Sequence, residues 1–200
     1  VLSKDTCDKD GAVCAPLALL GTAASAPKAC RSVLDAEGRC LPDCLSNLAQ
    51  QAGRLPQDVC ADHELCAPCF NSVTGDATGY CALSGDTGPR ESPRIFASCC
   101  DSQTDAQAVC VPQSFVPAGV VMPRGSCDAT SFCVPRAWAS DPSAKPSYCT
   151  DTVRGRGVCV PQCVATALGA LLTTSADCSS ADQCYPCQLV GGLASGVCTE

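Results

Sequence analysis

Apolar side chains along this chain come in short groups cut by proline and glycine, and two of the groups keep helical spacing. After Pro42, residues Cys44, Leu45, Leu48, Ala49 and Ala52 recur on one helical face, with Pro42 tolerated at the first turn and Gly53 placed to stop the run. The pattern predicts a helix of about ten residues. Pro161 precedes a second copy in Cys163, Val164, Ala167, Leu168 and Leu171, weakened by Gly169. Between the two, Pro117 and Gly119 break the pattern. Turn-forming residues in Asp35-Ala36-Glu37-Gly38 and Arg154-Gly155-Arg156-Gly157 predict hairpins, while the corresponding Thr104-Asp105-Ala106 lacks glycine. The most apolar run, Ala12 to Ala26, is interrupted by Pro16 and Gly21, so no direct membrane insertion is expected.

A longer period overlies these local signals. Cys30, Cys40, Cys44, Cys60, Cys66, Cys69 and Cys81 step by 10, 4, 16, 6, 3 and 12 residues, and Cys149, Cys159, Cys163, Cys178, Cys184, Cys187 and Cys198 step by 10, 4, 15, 6, 3 and 11. A middle copy, Cys100, Cys110, Cys127 and Cys133, holds Ser114 and Arg136 in the slots of Cys44 and Cys69. Cys-x-Pro signatures follow the same order, and Cys14-Ala15-Pro16 with Cys7 upstream matches the second half of a copy. The reading is a partial repeat over 1–29, a full repeat over 30–99, a shortened repeat over 100–148 and a final repeat over 149–200. The fold class expected is a small disulfide-rich repeat, an elongated tandem array of mostly irregular units with short hairpins and one short helix in the longer units. Val1 carries no leader sequence, which suits a mature form or a processed fragment.

Correlated loss suggests which sulfurs are joined. Ser114 and Arg136 replace two cysteines in one copy, so Cys44 is paired with Cys69 and Cys163 with Cys187. The opening fragment offers only Cys7 and Cys14, which suggests that bond and, by analogy, Cys60–Cys66, Cys127–Cys133 and Cys178–Cys184. Elimination then gives Cys30–Cys40, Cys100–Cys110 and Cys149–Cys159, with Cys81 and Cys99 closing an intervening loop and Cys198 left unpaired or intermolecular. The rival arrangement joins the hairpin cysteines to others further along their unit.

Composition and charge narrow the class of protein. Twenty-one cysteines in 200 residues, with 4% aromatic residues, mark a secreted disulfide scaffold in an oxidising compartment. So few large side chains bury too little apolar surface to offset a backbone ordering cost of roughly 1–2 kcal/mol per residue, and crosslinks must supply the difference. A net charge of −7, with no basic cluster denser than Arg154-Gly155-Arg156, argues against a nucleic-acid partner.

Candidate chemistry is thin. The spacings Cys66/Cys69, Cys184/Cys187, Cys40/Cys44 and Cys159/Cys163 are ones that zinc sites use, but a disulfide framework accounts for all the cysteines at once. His63 is the only histidine, and any nucleophile arrangement would depend on it. Asp8, Asp10, Asp62, Glu64, Asp128 and Asp182 offer oxygens in short loops without EF-hand spacing. Aromatic residues, among them Phe70, Phe96, Phe115, Phe132, Trp138, Tyr148 and Tyr185, are candidates for an adhesive patch or for packing on sulfur. The Gly- and Pro-rich stretch Ser84 to Pro93 reads as a loop suited to binding. No catalytic residue, cofactor or metal is expected, and nothing points to a small molecule.

Gly38-Arg39-Cys40-Leu41-Pro42-Asp43-Cys44, Leu55-Pro56-Gln57-Asp58-Val59-Cys60, Cys66-Ala67-Pro68-Cys69 and Thr78-Gly79-Tyr80-Cys81 together resemble secreted cysteine-rich repeat proteins of myxobacterial type. The likeness covers residues 30–81 well and 149–198 less closely. It implies export and a bacterial cell-surface setting, and carries over no active-site residue. The function expected is a non-enzymatic extracellular structural or adhesive protein, such as a subunit of a surface assembly or filament, with a protein partner or self-assembly. The alternative is a soluble binding module, inhibitor-like or receptor-like, that presents disulfide-braced loops.

Overall fold

Among the described residues of the computed structural model, strands of three to seven residues form three small antiparallel sheets, with a few very short helices between them. The structure describes residues 26–83, 85–100, 107–116, 118–141, 144, 146–151, 153, 155–166, 175–189 and 191–198. The chain divides into two compact units, 1–95 and 96–200.

The first unit holds β1 (Ala29–Arg31), β2 (Glu37–Pro42) and β3 (Glu64–Pro68) in the order β1-β2-β3, with the short α1 (Ser46–Ala49) between β2 and β3. The second unit holds a two-stranded sheet, β4 (Ala108–Pro112) with β5 (Ser131–Pro135), followed by α2 (Arg136–Ser140). A three-stranded sheet in the same unit consists of β6 (Tyr148–Asp151), β7 (Gly155–Pro161) and β8 (Asp182–Pro186), with α3 (Gln162–Thr166) between β7 and β8. The Cys-x-Pro signatures now have a physical reading. Pro42 lies opposite Glu64, and Pro68 opposite Gly38, so a residue with no N–H to donate closes each end of the β2–β3 ladder. Pro112 and Pro135, and Pro161 and Pro186, do the same in the other sheets.

The same two bonds clasp all three sheets. They are Cys30–Cys66 with Cys40–Cys60, Cys99–Cys133 with Cys110–Cys127, and Cys149–Cys184 with Cys159–Cys178. Strand register agrees too, with Cys40 opposite Cys66, Cys110 opposite Cys133 and Cys159 opposite Cys184. Two further bonds, Cys69–Cys81 and Cys187–Cys198, close arms that follow β3 and β8, and Cys100–Cys163 ties segments 63 residues apart. These make nine disulfides among the described residues. Such a set fits an oxidising, extracellular compartment.

The hairpin expectation holds in β1–β2 and β6–β7, but the pairing expected inside the hairpins does not. Cys30–Cys40, Cys60–Cys66, Cys100–Cys110, Cys127–Cys133, Cys149–Cys159 and Cys178–Cys184 are all replaced by bonds that reach further along the chain, as in the rival arrangement. The cause is the third strand. In the β2–β3 pair Cys66 returns antiparallel beside Cys40, which puts it within reach of Cys30 and leaves Cys40 to take Cys60 from the loop before β3.

Cys44–Cys69, Cys163–Cys187 and Cys81–Cys99 are likewise overturned, because Cys69 takes Cys81, Cys187 takes Cys198, Cys163 takes Cys100 and Cys99 takes Cys133. Cys198 is therefore not an unpaired thiol. Cys69, Arg136 and Cys187 donate similar backbone hydrogen bonds to Glu37 O, Gln107 O and Arg156 O. Arg136 opens α2, whereas Cys69 and Cys187 open the arms that Cys81 and Cys198 close. The expected Cys7–Cys14 bond lies outside the described residues.

Cys99, rather than Cys100, bonds Cys133 as Cys30 bonds Cys66, and the step from it to the cysteine of the next strand is 11 residues instead of 10. The second unit begins at Phe96, and the Cys100–Cys163 bond crosses position 149. Of the expected helices, the first shrinks to α1 followed by hydrogen-bonded turns as far as Leu55. The second is present as α3, and its continuation over Ala167–Leu171 lies outside the described residues. The middle copy has only a 3₁₀ turn, Gln113–Phe115, in the corresponding place, as the broken pattern implied.

Sulfur forms much of the interior. In the first unit Cys30, Cys40 and Cys66 are a buried cluster against which Cys60 packs, and Leu41, Leu48 and Val33 are also buried there; in the second unit Val109, Val111, Val158, Val160 and Tyr185 are buried. The Cys30–Cys66 bond joins the two outer strands over the central one, and Gly38 lies beneath it. A Cβ on Gly38 would sit 2.6 Å from Ala67 O and 2.8 Å from Cys66 Sγ, and one on Gly157 would sit 2.5 Å from Tyr185 O and 2.7 Å from Cys184 Sγ. Gly38→Ala and Gly157→Ala should each destabilise their unit by about 1–3 kcal/mol, the usual cost of overpacking a filled interior. Chemical denaturation of the oxidised variants measures this, whereas Gly53→Ala, with open space around it, should leave the midpoint unchanged.

Candidate functional site

Arg39 is a charged residue in the middle of β2 and yet only 4% exposed. Its Nε and Nη2 donate to the two carboxylate oxygens of Asp86 at 2.6 and 3.0 Å, the bidentate arrangement in which guanidinium and carboxylate match best. Nη1 donates to Glu37 Oε1 at 2.9 Å and Gly38 O at 3.0 Å, and Nη2 also reaches Gly88 O at 3.2 Å. Glu37 uses its second oxygen to accept the backbone N–H groups of Arg90 and Glu91 at 2.7 and 2.9 Å. One arginine and one glutamate from β2 thus hold both halves of the segment from Asp86 to Glu91.

The hydrogen bond from Arg39 lowers the Asp86 carboxyl below its usual range against the opposing effect of burial. For Glu37, burial is the largest single influence and pushes upward, but the hydrogen bonds from Arg39 and from the Arg90 and Glu91 amides together outweigh it and the net shift is down. Arg39 is itself held above its ordinary value, chiefly by Asp86. An outer ring of ion pairs continues the fastening. Arg31 meets Glu91 at 2.8 Å, and Arg94 meets Asp35 at 3.2 Å and Glu91 at 3.6 Å. These outer partners are largely solvated and contribute little compared with the buried centre. Pro89, Arg90, Ser92, Pro93 and Ile95 face solvent. Arg31, Asp58, Val59, Asp86 and Arg90 contribute to the lining of an open cleft of about 680 Å³ beside the loop.

The loop singled out from sequence is thus a fixed, charged rim, while Ser84 itself lies outside the described residues. Its anchor, Arg39, was missed. The one available signal was a charged residue between Gly38 and Cys40 in a stretch otherwise reading as buried strand.

The other candidates disperse. His63 projects into solvent and lies 3.7 Å from Asp43. Glu64 accepts the Ala61 amide, Asp128 the Thr130 amide and hydroxyl, and Asp182 the Ser179 hydroxyl, so these carboxylates cap their own loops. Asp8 and Asp10 lie outside the described residues. Cys66 and Cys69 go to different bonds, as do Cys184 and Cys187, so neither CxxC pair acts as a unit.

Nor do the aromatics gather in one patch. Phe96 is buried and meets Phe115 edge-on at 5.7 Å, Arg156 stacks over Tyr148 at 4.1 Å, and Tyr185 is fully buried with its hydroxyl donating to Val121 O at 2.8 Å. Burial pushes the Tyr185 phenol up to about 12. An unfolded tyrosine ionises near pH 10. The folded state therefore keeps its proton longer, and stability is complete below about pH 10 and falls as pH rises toward the folded value. In a spectrophotometric titration, tyrosinate absorbance from Tyr185 should appear last and together with loss of structure, and Tyr185→Phe should remove that component.

No family model, curated protein or solved structure matches this chain. Among the described residues no helix is long and apolar enough to cross a membrane.

Proposed function

We propose that this is a non-enzymatic extracellular structural or adhesive protein, built as a tandem array of disulfide-clasped repeats and working as a subunit of a bacterial surface assembly. The observation that carries the reading is the threefold recurrence of one clasp, with the same two bonds and the same cysteine register in each sheet. Modules of this kind spend their sequence on covalent rigidity, which suits a load-bearing part. The resemblance to secreted cysteine-rich repeat proteins supports the surface setting. Sedimentation velocity and electron microscopy of the oxidised chain over a wide concentration range test it. Concentration-dependent oligomers or filaments are expected, and a monomer at every concentration would overturn the assembly reading.

The clamped loop favours a second reading, a soluble binding module. Glu37 and Arg39 pay in advance the entropy of ordering the segment from Asp86 to Glu91, which is what a preorganised recognition loop requires. Exposed Arg90 makes trypsin a suitable first probe. Stoichiometric inhibition that disappears in Arg90→Ala supports this reading, and an absence of inhibition rejects its inhibitor form.

A further inference from the structure

The two disulfides of each sheet are not merely near one another. The sulfurs of Cys30, Cys40 and Cys60 all lie within 4.8 Å of each other, and Cys66 Sγ is bonded to Cys30 at 1.98 Å. The triplets Cys99, Cys110, Cys127 and Cys149, Cys159, Cys178 have the same closeness, with Cys133 and Cys184 as fourth members. Each sheet therefore brings three sulfurs together, with a fourth bonded to the first of them; Cys99, in the second sheet, comes from the segment before β4.

We propose that each of these clusters is the oxidised form of a four-cysteine zinc site, opened by a dithiol reductant. In a tetrahedral thiolate site with zinc–sulfur bonds of about 2.3 Å, neighbouring sulfurs stand about 3.8 Å apart. The sulfurs of Cys30, Cys40 and Cys60 already lie within 4.8 Å of one another, and Cys66, once its bond to Cys30 is cut, must rotate its side chain to bring the fourth sulfur into the same range. The chemistry balances. Each disulfide takes two electrons and two protons from one dithiol, yielding two cysteine thiols and a cyclic disulfide of the reductant. Two such exchanges free four thiols, and a Zn²⁺ ion that binds them displaces four protons. The ion would then occupy the sulfur-filled interior of the sheet and take over the crosslinking role, keeping Cys30, Cys40, Cys60 and Cys66 joined after their bonds are cut. Spacing alone pointed instead to Cys66 with Cys69 and Cys40 with Cys44. The geometry selects another set, because Cys69 and Cys187 belong to the arms.

This inference does not depend on the assembly reading, and its test is separate. The full chain is reduced with a phosphine, which becomes phosphine oxide by taking its oxygen from water, and is titrated anaerobically with Co²⁺ and then Zn²⁺. Three equivalents of cobalt with the absorption of tetrahedral thiolate coordination are expected, displaced by zinc, one for each sheet. The Cys40→Ser/Cys60→Ser variant should fall from three equivalents to two, and Cys69→Ser/Cys81→Ser should stay at three. Circular dichroism should show the strands retained with zinc and lost when a chelator removes it. Uptake that does not saturate at three, an octahedral spectrum, or equal uptake by the Cys40→Ser/Cys60→Ser variant would each overturn the proposal.

Discussion

Reducing all the disulfides in the presence of a chelator is expected to unfold both units completely. The bonds of the first sheet close loops of 36 and 20 residues, those of the second 34 and 17, and those of the third 35 and 19. On a chain-entropy account each contributes about 3–4 kcal/mol, so the set contributes some tens of kcal/mol against the disordered chain. The interior cannot compensate. Apart from cysteine, it consists of scattered Leu, Val, Phe and Tyr side chains, and its centre in the first sheet is sulfur itself. Loss of dispersed amide resonances on reduction checks the expectation. Retention of native dispersion by a metal-free, fully reduced chain would show that apolar packing, and not crosslinking, sets the fold.

The second large effect is expected at Arg39. Arg39→Ala leaves Glu37 and Asp86 facing each other with side chains 11% and 2% exposed and no positive partner between them. Removing one member of a buried pair costs about 3–5 kcal/mol, most of it the stranded charge. The first unit should lose that stability, and the Arg90 and Glu91 amides should lose their protection from exchange, while the second unit is unchanged. Acid acts on the same residues. The folded Asp86 and Glu37 carboxyls both lie below their unfolded values, so the contribution is complete above the ordinary carboxylate range of about 4 and is lost as pH falls through the lower folded values. Amide exchange at Arg90 and Glu91 as a function of pH reports this directly, and protection that is flat down to full protonation would contradict it.

The positions of the clasps were legible in the cysteine spacing, and their connectivity was not. The hairpins could be read from Asp35-Ala36-Glu37-Gly38 and Arg154-Gly155-Arg156-Gly157 because turn chemistry is local, although Glu37-Gly38 and Gly155-Arg156-Gly157 lie inside β2 and β7. Cys66 becomes a partner for Cys30 only once Glu64–Pro68 is known to return as a strand, and five residues closed by proline carry too little alternation to announce one. The Cys99-Cys100 doublet misled for a related reason. One of the two adjacent cysteines serves its sheet and the other the distant Cys163, a choice that spacing cannot make. Gly38 and Gly157 were legible as turn residues and mistaken in role, since each is required by the sulfur above it. The loop at Gly85–Pro93 was visible from its composition. Its fastening was not, because Arg39 and Asp86 are 47 residues apart and no periodicity connects them.

In each sheet the Cys40–Cys60 type of bond lies wholly within the loop closed by the Cys30–Cys66 type. The shorter closure costs less entropy, so oxidation can run from the inside outward within each sheet, without waiting for the rest of the chain. Among the bonds of the described residues, only Cys100–Cys163 interleaves with those around it, and it cannot close until most of the second unit has been synthesised. That one link is the step at which an isomerase would govern the yield of correctly joined protein.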